Sequence, residues 1–309
     1  MAKQLSYKSM KEKNLRIIYY LSAFLVGAVI SVMVVFNTSL GIATNNSISI
    51  AINQITGIVV LTLIMLAFPH NKTVNPERKP AHWWQWFGGL FGLMVISINY
   101  FSVKEAGTTI AMASAVLGQC VMGLIYDVSG FMGMEKRKVG MRKIISLLIS
   151  LLGIAIMLLF PGSSNSRSSF IFAFLSVISG VLTMIQMVYN SSFAKAKGSF
   201  FSARQNVISG LCGILLFMLI FNLKPSIEAA KGLAAYPIWK TLMGGTLAVI
   251  VVVASNLIIP KIPGAASSIL MSAGQILTAV LIDYLMYSIS SPSLIAGAFI
   301  MILGLALAP

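Results

Sequence analysis

The sequence predicts an all-α integral membrane protein of ten transmembrane helices arranged as two inverted five-helix repeats. Three observations lead there. The 309 residues are 58% hydrophobic and 9% charged, far from the roughly 25% charged residues of soluble domains. Apolar stretches long enough to span a bilayer core, about 20 residues each, recur from residue 17 to the end. Polar and aromatic residues in the first half also reappear in the second at fixed offsets.

The spans fall near 17–36, 48–69, 83–103, 107–132, 143–160, 168–190, 201–222, 238–258, 264–288 and 292–308. Before the first lies a basic polar arm, residues 1–16, with Lys3, Lys8, Lys11, Lys13 and Arg16 against Glu12. No short apolar region with a cleavage site follows it, so it does not read as a signal peptide. The gap after the second span holds Lys72, Arg78 and Lys79 against Glu77, and that after the fourth holds Lys136, Arg137, Lys138, Arg142 and Lys143 against Glu135. The intervening gaps are nearly uncharged. Lys and Arg in short loops favour the cytoplasm, so the N-terminus is expected inside, and ten spans return the C-terminus there too. In the second half Lys195, Lys197 and Arg204 fit an inner loop, while Lys224, Lys231 and Lys240 would face outside. The net charge of +15 is thus read as loop charge at a lipid bilayer, not as a nucleic-acid surface.

A shift of 153 residues aligns Gly27 with Gly180, Asn37 with Asn190, Asn53 with Asn206 and Gly57 with Gly210. A shift of 156 aligns Trp83 with Trp239, Gly88-Gly89 with Gly244-Gly245, Gly118-Gln119 with Gly274-Gln275 and Asp127 with Asp283. Apolar composition alone matches Leu, Ile and Val by chance, but not Trp, Asn, Gln and Asp. The domains expected are therefore the arm, a first repeat at 17–162 and a second at 163–309. Five is odd, so the second repeat enters the membrane upside down. Two equivalent halves in opposite orientation can exchange conformations around a midplane site, which argues for alternating-access transport.

Candidate site residues follow from depth. In the fourth span Ala111, Ala115, Gln119, Gly123 and Asp127 are spaced by four, and in the ninth Ser267, Met271, Gln275, Ala279 and Asp283; such residues share one helix face. Gln119 lies about 18 Å along its helix at 1.5 Å per residue, near the middle of a roughly 30 Å core. Gln119 and Gln275 are candidates to bind a solute, the alternative being hydrogen bonds between helices. Asn53 and Asn206 either line the cavity or join helices, and Asn99, Ser97, Ser255 and Asn256 are further cavity candidates. Asp127 and Asp283 are expected nearer the helix ends. An ionisable group in a span is a functional hypothesis by default, so each either carries a proton or attracts a cation, or serves as a solvated helix end or a hydrogen-bond hub. Asn37 and Asn190 read as helix stops, Trp83, Trp84, Trp86 and Trp239 as an interfacial belt, and the Gly-Gly pairs as packing elements.

Other chemistries lack residues. Cys120 and Cys212 sit in apolar runs as small hydrophobes, and the 18 Met residues show no clustered ligand spacing, so neither a metal nor a cofactor is expected. His70 and His82 share one loop, and no Ser/His/Asp constellation or Walker-type phosphate loop exists. The chain is not expected to be an enzyme.

The segments "WWQWFGGLFGLM" and "AGTTIAMASAVLGQCVMGLIYDVSGFMGMEKRKVGMRKIISLLISLLGIAIMLLF" resemble the YdcZ-type five-helix unit of the drug/metabolite transporter (DMT) superfamily. The shared order is a Trp-rich start to the third helix, a Gly-Gln pair in the fourth, an Asp among small residues, and a basic loop before the fifth. The second half lacks that basic loop, as a loop facing outside should. The resemblance implies a tandem ten-helix DMT-like fold in a bacterial inner membrane and a secondary transporter, an exporter or exchanger, of a small metabolite or drug-like solute. A channel or passive facilitator, or a non-transporting receptor or assembly protein, are the alternatives. Gly153 and Gly304 occupy matching positions in the fifth and tenth helices, which form dimer contacts in some related folds, so a homodimer is also a candidate.

Overall fold

The computed structural model describes residues 2–67, 81–130, 140–159, 166–258, 261, 264–288 and 291–307. The inner-loop charges at Lys72, Arg78, Lys79 and Lys136–Lys138, and the side chain of Asp127, lie outside the described residues. Among the described residues there are helices and turns and no strand. In order the helices are α1 (Ala2–Ala43), α2 (Asn46–Ala67), α3 (Gly89–Ala106), α4 (Thr108–Ser129), α5 (Met141–Leu159) and α6 (Ser166–Lys197), then α7 (Ser199–Phe217), α8 (Leu223–Ala230), α9 (Ile238–Ile258), α10 (Gly264–Tyr287) and α11 (Pro292–Ala306). Eight apolar helices are long enough to cross a bilayer, and two shorter ones, Ile144–Leu159 and Pro292–Ala306, accompany them. Large apolar side chains such as Leu21, Leu66, Phe221 and Leu285 are exposed. Such an apolar exterior would be insoluble in water and suits lipid.

The helices run further than hydropathy alone suggests. α1 includes the polar arm, which is rich in Lys, holds Leu, Met, Ala, Gln and Glu, and is free of Gly and Pro; these are good helix formers with or without lipid. α1 and α6 also continue past Asn37 and Asn190, so neither Asn is a helix stop. The segment expected as a loop after α7 is helical as well. A π-turn at Met218–Asn222 leads into α8, and a 3₁₀ turn at Lys231–Ala235 follows. Pro225 supplies a cause for the π-turn. It lacks an N–H and its ring crowds the carbonyl four residues back, so the turn before it widens. Asn222 then donates to Ser47 Oγ at 2.9 Å and fastens this segment to the start of α2.

Backbones meet where glycines permit. α1 crosses α10 with Gly27 against the Met271 carbonyl and Gly274 against the Phe24 carbonyl. α4 crosses α6 with Gly180 against the Ala115 carbonyl and Gly118 against the Val177 carbonyl. Both crossings carry one glycine from each helix, and a methyl group at any of the four would collide with main chain. Small residues at a crossing are what helices in lipid use to gain dispersion contacts. The two crossings consist of the same positions under the 153- and 156-residue shifts. The third close pair is α5 with α11. Gly153 lies on Gly297 and Met301, and Gly304 lies on Ser146 and Ile149, so both glycines considered for a homodimer are used within the chain.

The Gly-Gly pairs interlock the two halves. Gly88 and Gly89, at the start of α3, fit against Asn190 and the Asn206 carbonyl in the second half. Gly244 and Gly245 in α9 fit against Asn37 and the Asn53 carbonyl in the first. Trp84 packs on Tyr189 at 5.0 Å between ring centroids, and Trp86 on Phe193 at 5.3 Å. These two tryptophans are therefore part of the α6–α7 packing, while Trp83 and Trp239 stay exposed.

Candidate functional site

Between these helices lies a cavity of about 110 Å³, lined from both halves. Its lining positions come largely in equivalent pairs: Asn53 with Asn206, Gln119 with Gln275, Asn99 with Ser255, Met33 with Gln186, Ile30 with Thr183 and Val95 with Val251. Asn256 lines it as well. Of the residues expected from the sequence, Gln119, Gln275, Asn53, Asn206, Asn99 and Asn256 are thus gathered at one place. Ser97 is not among them; it accepts a hydrogen bond from Asn46 Nδ2 at 3.0 Å.

Gln119 and Gln275 face each other. Each Nε2 donates to the other's Oε1 at 3.4 Å, and both residues are buried. At 1.5 Å per residue each stands about 16 Å into its helix. The preceding glycines face other helices, Gly118 seating α4 on α6 and Gly274 seating α10 on α1, and the adjacent amides meet between α4 and α10. Ser31 of α1 donates to the Gln275 carbonyl at 2.8 Å and fixes that turn of α10.

The asparagines form two related couples. Asn53 Nδ2 donates to Asn37 Oδ1 at 2.9 Å in the first half, and Asn190 Nδ2 donates to Asn206 Oδ1 at 3.1 Å in the second. Below each couple a serine hydroxyl reaches a carbonyl, Ser49 to Asn37 at 2.6 Å and Ser202 to Asn190 at 2.8 Å. A buried amide without partners costs about 1–3 kcal/mol, so the couples join helices and also present their remaining polar atoms to the cavity. The second couple has one more member, because Gln186 Nε2 also donates to Asn206 Oδ1 at 3.1 Å. Asn99 accepts from Ser179 Oγ at 2.7 Å, and Asn256 donates to the Ser199 carbonyl at 3.3 Å.

Asp283 stands elsewhere. Its carboxylate accepts from the backbone N–H groups of Thr108, at 3.2 Å, and Thr109, at 2.7 Å. Those are the first two residues of α4, and the residue before them, Gly107, has a φ of +84°. That conformation favours glycine, and glycine offers no side-chain acceptor to close the helix. The orphan N–H groups are buried from water, so a carboxylate from α10 caps α4 across the fold.

Sequence reasoning missed Gln54 and Gln186 as lining residues. Both left a signal: a carboxamide within an apolar run, adjacent to Asn53 in one case and one turn before Asn190 in the other.

A family model described as "Putative inner membrane exporter, YdcZ" matches residues 18–156 and again residues 171–307. The chain belongs to this YdcZ family of DMT proteins. The tandem match covers both copies of the cavity-lining set, and the family's description is that of an inner membrane exporter, not of an enzyme. A YdcZ chain of this kind is placed by its family in the inner membrane. Among curated proteins none matches. A crystal structure of a protein 17% identical over 94% of each chain, with a TM-score of 0.63, has the same fold.

Proposed function

We propose that this YdcZ protein is a secondary active transporter that exports or exchanges a small solute by alternating access. Its ten spans would form two inverted repeats, 17–162 and 163–309, with the arm and both termini in the cytoplasm. The observation that carries the reading is the cavity: equivalent residues of both halves line it, and at its depth Gln119 of α4 and Gln275 of α10 face each other as an amide pair. Two halves built alike and inserted oppositely have two conformations of similar energy, related by exchange of roles. A solute held by Gln119, Gln275, Asn53, Asn206, Asn99 and Asn256 would be released to either side as the glycine crossings shift.

Proton coupling at Asp283 would act at a distance from the solute. A protonated carboxyl is a weaker acceptor than a carboxylate, so protonation would loosen the start of α4, the helix that carries Gln119. Asp283→Asn is then expected to flatten the pH dependence of transport, and a profile identical to that of the unmodified protein would remove Asp283 from the coupling step.

The decisive experiment is counterflow in proteoliposomes. Labelled solute should accumulate transiently when the opposite compartment holds excess unlabelled solute. Flux that rises linearly with concentration and shows no counterflow would indicate a channel and overturn the alternating-access reading. Labelling of single cysteines at positions 3 and 307 from the cytoplasmic side only would bear out the expected termini.

A further inference from the structure

The chemistry of the cavity wall narrows the solute. Among the described lining residues there is no Asp, Glu, Lys, Arg or His, and no aromatic ring. An ion brought here from water would lose several kcal/mol of hydration with no opposite charge to meet it, and a cation would find no π-face. What the wall offers is carboxamides.

The Gln119–Gln275 pair is the most telling of them. Its two hydrogen bonds, at 3.4 Å each, are longer than the usual 2.7–3.2 Å of N–H···O bonds. Each amide therefore gives up little when the other is replaced. A group that shows an N–H donor beside a C=O acceptor can enter between them and return the same pattern to both.

The repeat is also broken in a directional way. On α3 and α6 the wall carries Asn99, Thr183 and Gln186; the equivalent positions on α9 and α1 are Ser255, Ile30 and Met33. Ile30 and Met33 pack together with Val251 in one apolar cluster. The α3–α6 wall is thus the richer in hydrogen-bonding groups, while the α1–α9 wall is apolar along α1 and polar only at Ser255 and Asn256.

We infer that the cavity selects an uncharged solute with a carboxamide-type edge, an N–H beside a C=O, and an apolar opposite edge. Lactams, cyclic imides and methylated pyrimidine bases belong to this class. The inference rests on reading the cavity as the solute chamber of the proposed exporter.

Thymine, uncharged at pH 7, is a suitable probe, with 1,3-dimethylthymine as the analogue lacking both N–H donors and tetraethylammonium and acetate as charged controls. Thermal unfolding of the purified full chain is measured with each at about 10 mM. Thymine is expected to raise the midpoint by about 2 °C or more, and the other three to leave it unchanged. Gln119→Leu should abolish the thymine shift. Gln186→Met, which copies the apolar wall, should weaken it at least fivefold in apparent Kd and serves if the first variant does not fold. No thymine shift, equal shifts from thymine and its dimethyl analogue, or a shift from a charged control alone would each overturn the assignment. The outcome for transport is separate. Thymine binding without counterflow supports the solute class and sinks the exporter reading, whereas counterflow of a charged solute without thymine binding does the reverse.

Discussion

Replacing Asp283 tests how one helix of the cavity is held in place. In Asp283→Ala the N–H groups of Thr108 and Thr109 lose their acceptor. In the intact protein neither residue meets bulk water, Thr108 being 0% and Thr109 1% exposed. Hydrogen bonds to a charged acceptor contribute about 1.5–3 kcal/mol each, and removal of an ordinary N-cap costs about 0.5–2 kcal/mol. The two bonds share one carboxylate and are not additive, so a loss of about 2–3 kcal/mol is expected. At about 2–4 °C per kcal/mol for a large chain, the unfolding midpoint should fall by about 4–12 °C. Asp283→Asn keeps one acceptor oxygen and nearly the same volume, and should lose about half as much. The measurement is thermal unfolding of the purified protein, followed by helical signal. An unchanged midpoint in Asp283→Ala, or a larger loss in Asp283→Asn than in Asp283→Ala, would refute the cap.

The glycine crossings give a second expectation. Gly118→Ala and Gly180→Ala each drive a methyl into main chain and should cost about 1–3 kcal/mol by overpacking, while Gly140→Ala, with nothing within 4 Å, should be neutral in the same unfolding assay. The asparagine couples are unequal: Asn206 Oδ1 accepts from both Gln186 and Asn190, whereas Asn53 has one amide partner. Asn206→Ala should therefore destabilise more than Asn53→Ala, by about 0.5–1.5 kcal/mol, as read from paired melts. In a double-mutant cycle, Gln119→Leu with Gln275→Leu should show a coupling of about 0.6–1.7 kcal/mol; additive losses would mean that the two amides do not interact.

Much of the site was legible because lipid makes polar residues conspicuous. Gln119, Gln275, Asn53, Asn206, Asn99 and Asn256 stand out as polar interruptions of apolar runs, and the repeat links Gln119 with Gln275 and Asn53 with Asn206. What could not be read was which group each one meets. The partner of Asp283 is a helix N-terminus some 175 residues earlier, and nothing in either segment alone announces that contact. Asn37 and Asn190 misled for a related reason: Asn is a common residue at helix ends, but each here is satisfied from a neighbouring helix, so its own helix continues. Ser97 was misplaced because depth along α3 was visible and the direction of its side chain was not. Hydropathy leaves the basic arm and the segment after α7 outside the spans, because it reports what lipid accepts, whereas helix propensity operates beyond the lipid as well and makes both helical.

The exchange of Gly-Gly seats has a consequence for biogenesis. While only the first half has left the ribosome, Gly88 and Gly89 face a groove that nothing fills, and the Asn37–Asn53 couple is still without the α9 glycines that cover it. Each half completes its neighbour before it can be complete itself. The first half thus reaches its final packing only once α6, α7 and α9 have joined it.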